Sequence, residues 1–123
     1  MTAANILITE DVAANIALYK IILERAGYGV DVAETGEAAT EMASSKRYDL
    51  ILMDIGLPGI DGAEAARRIR ISGAPSAQSP IIALTADDDG RIRKACKEVG
   101  MNDYLTKPLS PATMLGMVAK MVN

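Results

Sequence analysis

The chain of 123 residues has no histidine, tryptophan or phenylalanine, and a single cysteine, Cys96. The missing imidazoles exclude histidine acid–base catalysis and histidine-rich metal sites, and the lone thiol excludes an internal disulfide framework. With tyrosine the only aromatic type, the core has to be assembled from Ala, Ile, Leu, Val and Met. A basic excess is also missing: 13 Lys and Arg stand against 16 Asp and Glu, a net charge of −3. No nucleic-acid partner is therefore expected. No apolar run approaches the roughly 18 residues that a bilayer span needs, and nothing like a signal peptide precedes the first strand-like segment. The expectation is a cytoplasmic domain without membrane insertion. What is present, 50% hydrophobic and 24% charged residues, is globular composition. A chain of this length supports one core, burying roughly 60–70% of the surface of the extended chain.

Five short apolar runs alternate with five longer amphipathic stretches. The runs are Asn5–Thr9, Gly29–Ala33, Asp49–Asp54, Pro80–Ala86 and Asp103–Thr106. Continuous segments such as LILM and IIAL read as strands buried on both faces. In Gly29–Ala33 the pattern alternates, with Val30 and Val32 on one side, which predicts a sheet edge. Between the runs the spacing becomes helical. Val12, Ile16, Tyr19, Leu23 and Ala26 recur every three or four residues before Gly27, which is placed for a C-terminal stop. Asp61 with Glu64 reads as a capping box, Gly100 ends the fourth stretch, and Ser110-Pro111 opens the last. Glu34-Thr35 fits another helix start. The repeated strand–helix alternation predicts one doubly wound α/β domain with a parallel sheet and helices on both faces.

Parallel sheets of this kind bind ligands beyond the carboxyl ends of their strands. Those ends deliver Glu10 and Asp11, then Asp54, then Thr85 followed by Ala86, and finally Thr106, Lys107 and Pro108. Three crowded carboxylates repel one another unless a cation intervenes, and an all-oxygen ligand set selects a hard divalent ion such as Mg²⁺. A carboxylate beside such an ion can act as a nucleophile toward phosphorus. Lys107 supplies a point charge and Thr85 a hydroxyl for the phosphoryl oxygens, which is most of what phosphoryl transfer asks of a protein.

In order and spacing, the segments ILITED, DLILMDIGLPGIDG, PIIALTA and YLTKPLS resemble the receiver domain of two-component response regulators. The resemblance covers nearly the whole chain. Its wording, with Asn15 after the acidic pair, is closest to receivers of hybrid sensor histidine kinases or free-standing single-domain receivers. It implies a flavodoxin-like (βα)5 fold with strand order 2-1-3-4-5 across residues 1–123. It further implies that Asp54 is the phospho-acceptor and that Asp11 ligates Mg²⁺ directly. Glu10 would act on the ion mostly through water, and Gly56 would lend its backbone carbonyl. Thr85, Ala86 and Lys107 would bind the phosphoryl group, with Thr85 and Lys107 taking part in the transfer. The Lys107–Pro108 peptide would be cis. Tyr104 matches an aromatic switch position that responds to Thr85, and the surface that changes would be the fourth helix, fifth strand and fifth helix. The implied donor is a histidine kinase or a histidine phosphotransfer protein, and the implied reader is a downstream protein. Three positions depart from the commonest pattern: Val12 where Asn often follows the acidic pair, Gly56 in place of a larger side chain, and Asp87 two residues past Thr85.

Other classes fit less well. An aspartyl phosphatase or phosphotransferase usually carries a second Asp two residues past its nucleophile, where this chain has Gly56. A dinucleotide site needs G-x-G-x-x-G after the first strand, and the chain reads E-D-V-A-A-N there. A non-phosphorylated docking module is opposed by the complete site. Asp87-Asp88-Asp89-Gly90 lacks calcium-loop spacing and reads as helix-start acids, and Cys96 reads as a small packing residue.

Overall fold

The structure, a computed structural model, describes residues 3–86 and 89–122. Five strands alternate with five helices: β1 (Asn5–Thr9), α1 (Ala13–Arg25), β2 (Gly29–Ala33), α2 (Gly36–Ser45), β3 (Leu50–Asp54), α3 (Gly62–Ile71), β4 (Ile81–Thr85), α4 (Gly90–Glu98), β5 (Asp103–Thr106) and α5 (Pro111–Val122). The strands form one sheet in the order β2-β1-β3-β4-β5, and every pairing is parallel. The alternating strand β2 is at an edge, and its Val30 and Val32 pack on one core layer as expected.

Because successive strand residues face opposite ways, the sheet carries two separate core layers. Leu7, Ile51, Met53, Ile81 and Ala83 pack on one side with Ala39, Ala43, Ala65, Ala66, Ile69 and Cys96 of α2, α3 and α4. Ile6, Ile8, Leu50, Leu52, Ile82, Leu84 and Leu105 pack on the other with Tyr19, Ile22, Leu23, Met114 and Val118 of α1 and α5. Each fully buried Leu or Ile contributes about 1.5–3 kcal/mol. Alanines on the inner faces of α2 and α3 let these helices approach the sheet closely. Cys96 is a buried member of that layer, and burial pushes its thiol pKa up, with the charge of Asp61 adding to the shift. It is a packing residue with no raised reactivity.

The elements follow their local signals with three differences. Thr35 caps α2 by accepting from Ala38 N, Asp61 caps α3 through Glu64 N, and Asp89 caps α4 through Arg91 N. Gly27 and Gly100 leave α1 and α4 at φ +95° and +91°, the left-handed stop that glycine adopts without strain. The inner face of α1, however, is Tyr19, Ile22 and Leu23. Val12 stands at the cap position, 49% exposed, and Ala26 is exposed beyond the last turn. The expected stripe was therefore too long at both ends and missed Ile22. The capping box is half formed, since Glu64 turns to Arg67 and Arg68, where two guanidinium groups outcompete one backbone N–H. Finally, Asp49, Pro80 and Ala86 lie just outside the strands. Asp49 instead accepts from Asn5 N at 2.7 Å, a bond that supports the start of β1.

Candidate functional site

Strand order reverses between β1 and β3, so the carboxyl ends of these two strands open a crevice. Glu10 leaves the end of β1 and is fully buried, at 0% exposure. Its Oε2 accepts from the backbone N–H groups of Asp11 and Val12, both at 3.1 Å. Its Oε1 accepts from Asn15 Nδ2 at 3.4 Å and pairs with Lys107 Nζ at 2.8 Å. Asp54 ends β3, only 7% exposed. Its Oδ1 accepts from Gly56 N at 2.9 Å, and its Oδ2 pairs with Lys107 Nζ at 2.8 Å. Asp11 is exposed at the mouth, yet carboxylate oxygens of Glu10, Asp11 and Asp54 all lie within 4.8 Å of one another.

Lys107 is thus a single ammonium held between two buried carboxylates. Burial alone would lower its pKa, but the hydrogen bonds and charges of Asp54 and Glu10 outweigh burial and hold it above 10.5. The peptide to Pro108 is cis, as the resemblance implied. Three carboxylates against one lysine leave the cluster short of positive charge, which is the electrostatic condition for a bound cation. Both oxygens of Glu10 are already engaged within the protein, so its contribution to a cation is charge and orientation, while the exposed carboxylate of Asp11 is available for direct ligation. The all-oxygen donor set fits Mg²⁺.

The remaining residues are placed by register. Asp54 pairs with Leu84, and Thr85 pairs with Thr106, so Thr85 lies one step past the neighbour of Asp54. It is buried, and its carbonyl accepts from Lys107 N at 2.7 Å. Ala86 follows it, exposed. Gly56 is exposed, and a Cβ added there would meet only Asp54 Oδ1, at 3.6 Å, which leaves that flank of Asp54 open. Tyr104 is half-buried on β5, opposite Ala83 and therefore on the sheet face that also carries Thr85. Asp87, expected to bring a charge near the phosphate, lies outside the described residues, as does Asp88.

Two further residues support the site. Asn15 steadies Glu10 from the first turns of α1, and its only signal was its family wording. Gly62 follows the cap residue Asp61, and nothing local marks it as part of the site. A Cβ at Gly62 would clash with the carbonyl oxygen of Asp54, so only glycine lets α3 start against the backbone of Asp54.

A buried acid, a bridging lysine and an acidic mouth at the switch point of a 2-1-3-4-5 parallel sheet define a phosphoryl-accepting domain of flavodoxin-like fold. The model of the response regulator receiver domain matches residues 6–119. The chain belongs to that family, whose members are signalling modules of two-component phosphorelays. It is 37% identical over 123 residues to the aerobic respiration control sensor protein ArcB of Escherichia coli (strain K12), covering 98% of this chain and 15% of that protein. The chain therefore spans a small part of the sensor proteins it matches. Among solved structures, the receiver domain of sensor histidine kinase PA1611 from Pseudomonas aeruginosa PAO1 superposes with a TM-score of 0.90 at 37% identity, covering 98% of both chains. That structure holds a magnesium ion in its active-site cleft. Chemotaxis protein CheY4 of Vibrio cholerae superposes with a TM-score of 0.92 at 28% identity, covering 98% of this chain and 99% of that one. Among the described residues no helix is long and apolar enough to cross a membrane.

Proposed function

We propose that residues 1–123 act as one phospho-receiver, with Asp54 the acceptor, and that a histidine kinase or histidine phosphotransfer protein is the donor. The observation that carries this reading is the Lys107 ammonium, 2.8 Å from both Asp54 Oδ2 and Glu10 Oε1, beside a third carboxylate at the mouth. Asp11 and Asp54 would hold Mg²⁺ together with the Gly56 carbonyl, and Glu10 would act mostly through water. The ion supplies neutralisation of charge on the phosphoryl oxygens.

In the transfer, an oxygen of Asp54 attacks phosphorus; the new P–O bond forms as the P–N bond to the donor imidazole breaks, and the imidazole leaves with the electron pair. Lys107 and Thr85 then bind phosphoryl oxygens, with the backbone of Ala86 beside them. Hydrolysis reverses the state: water attacks phosphorus, the bond to Asp54 Oδ breaks, and inorganic phosphate leaves. The open flank at Gly56 gives that water access. The domain modifies itself and turns over no external metabolite, so it is a signalling module and not a metabolic enzyme. A new dianion drawing in Thr85 shifts the neighbouring Tyr104 and the α4–β5–α5 surface, which a downstream protein reads. The reading places the chain in the cytoplasm, where ATP-fed kinases and Mg²⁺ are found.

Intact mass after incubation with Mg²⁺ and acetyl phosphate tests it. The expected result is one added phosphoryl group in the wild type and none in Asp54→Asn or with EDTA. No adduct from either acetyl phosphate or a phosphohistidine donor would refute the acceptor assignment.

A further inference from the structure

The ring of Tyr104 stands between a small strand neighbour and a cavity. Across the ladder stands Ala83, the smallest residue β4 presents on that face, one position pair from Thr85. On the other flank a cavity of about 300 Å³ opens between α4 and β5, with Cys96, Met101 and Asn102 among its walls. The half-buried ring packs on the core layer under α4 with the cavity beside it, and contacts at its outer end bias where it sits. The grip comes from α4. Arg93 Nη1 donates to the Tyr104 hydroxyl at 3.0 Å, and its guanidinium lies 5.3 Å from the ring centroid. One exposed side chain thereby makes both a hydrogen bond and a cation–π contact with the same ring.

We infer that Arg93 is a positioning residue that holds Tyr104 in the resting arrangement and so sets how readily the Asp54 site takes up a phosphoryl group. This rests on the receiver reading above. Contacts that exist in only one of two states bias the equilibrium between them by their full strength. If Thr85 moves toward a phosphoryl group and Tyr104 follows into the space over Ala83, the Arg93 grip is lost. Part of the phosphoryl binding energy is then spent in breaking it. Removing Arg93 lowers that cost and favours the activated surface. Contacts of this size change such an equilibrium about threefold to tenfold.

The test is a titration of the full chain with beryllofluoride, a phosphoryl mimic, in the presence of Mg²⁺. The ring environment of Tyr104 is followed by NMR of a fluorotyrosine label. The expected result is an apparent affinity about threefold to tenfold higher in Arg93→Ala than in the wild type, with partial return in Arg93→Lys. Equal affinities in wild type and Arg93→Ala, with only a lowered Tm, would make Arg93 a structural residue and overturn the inference alone. A wild type that binds no beryllofluoride, or binds it equally well as Asp54→Asn, would remove the receiver reading and the inference with it.

Discussion

The two ends of the sheet handle buried polarity in opposite ways. At the amino ends of β3, β4 and β5, polar groups are matched within the protein. Arg70 donates to the carbonyls of Gly100, Ala77 and Ser79 and to Asn102 Oδ1, at 2.6–3.0 Å. Ser76 Oγ accepts from Tyr48 N and donates to Lys46 O, while Ser79 Oγ donates to Tyr48 O. Asn102 Oδ1 also accepts from Ile81 N. At the carboxyl ends, Glu10 and Asp54 share one Lys107, and Asp11 stands beside them at the mouth. The first end uses neutral oxygens to satisfy a cation and is complete. The second retains unmatched negative charge, the condition that suits a bound cation. Buried polar groups stabilise when satisfied and stay receptive when they are not.

Three changes break or sharpen this contrast, in falling order of effect. Arg70→Ala should cost about 3 kcal/mol, because four oxygens lose a donor at once and the loop before β4 loses its tie to the loop before β5. Urea unfolding measures it, and a loss near zero would show that the amino end is not a stability device. Phosphorylation of the folded variant should persist. Mg²⁺ comes next: at free concentrations roughly tenfold above its dissociation constant it should add about 1.4 kcal/mol, a Tm rise of about 5 °C. Asp11→Ala should abolish that rise. Equal Tm with and without Mg²⁺ in the wild type would mean that the carboxyl end is already balanced.

The smallest effect belongs to the rim of β2. Asp31 accepts from Tyr48 Oη at 2.8 Å and pairs with Lys46 at 3.1 Å. The Tyr48 hydrogen bond outweighs burial, and with help from Lys46 it holds the Asp31 carboxyl below 3.8. A depressed carboxylate pKa stabilises the fold above the ordinary value and ceases to do so as pH falls through the depressed one. Asp31→Asn should therefore make the acid limb of unfolding slightly less steep while costing little at neutral pH. Circular dichroism during acid titration checks this, and an unchanged acid limb would count against it.

Much of this was legible in the chain. Continuous runs such as Leu50–Met53 declared buried strands, the alternation at Val30 and Val32 declared an edge, and Thr35, Asp61 and Ser110 declared helix starts. These signals are local, spanning a few residues. Glu64 misled because its choice between a backbone N–H and two arginines is decided by side-chain geometry, which sequence spacing does not encode. Gly62 and Arg70 were unreadable in their real roles, since each acts on backbone brought to it from another element.

By itself the sequence determined the alternation of five strands and five helices, the residue types at each strand end and the receiver wording around Asp54. Periodicity and capping are written in neighbours, and oxygen, hydroxyl and ammonium groups carry their chemistry wherever they stand. Only the tertiary structure decided that Lys107 reaches Glu10 across 97 positions and Asp54 across 53. It also decided that both oxygens of Glu10 are engaged, and that Arg93 grips Tyr104. Those outcomes depend on strand order, register and the angle at which each helix returns, and they exist only when elements distant in the chain pack together.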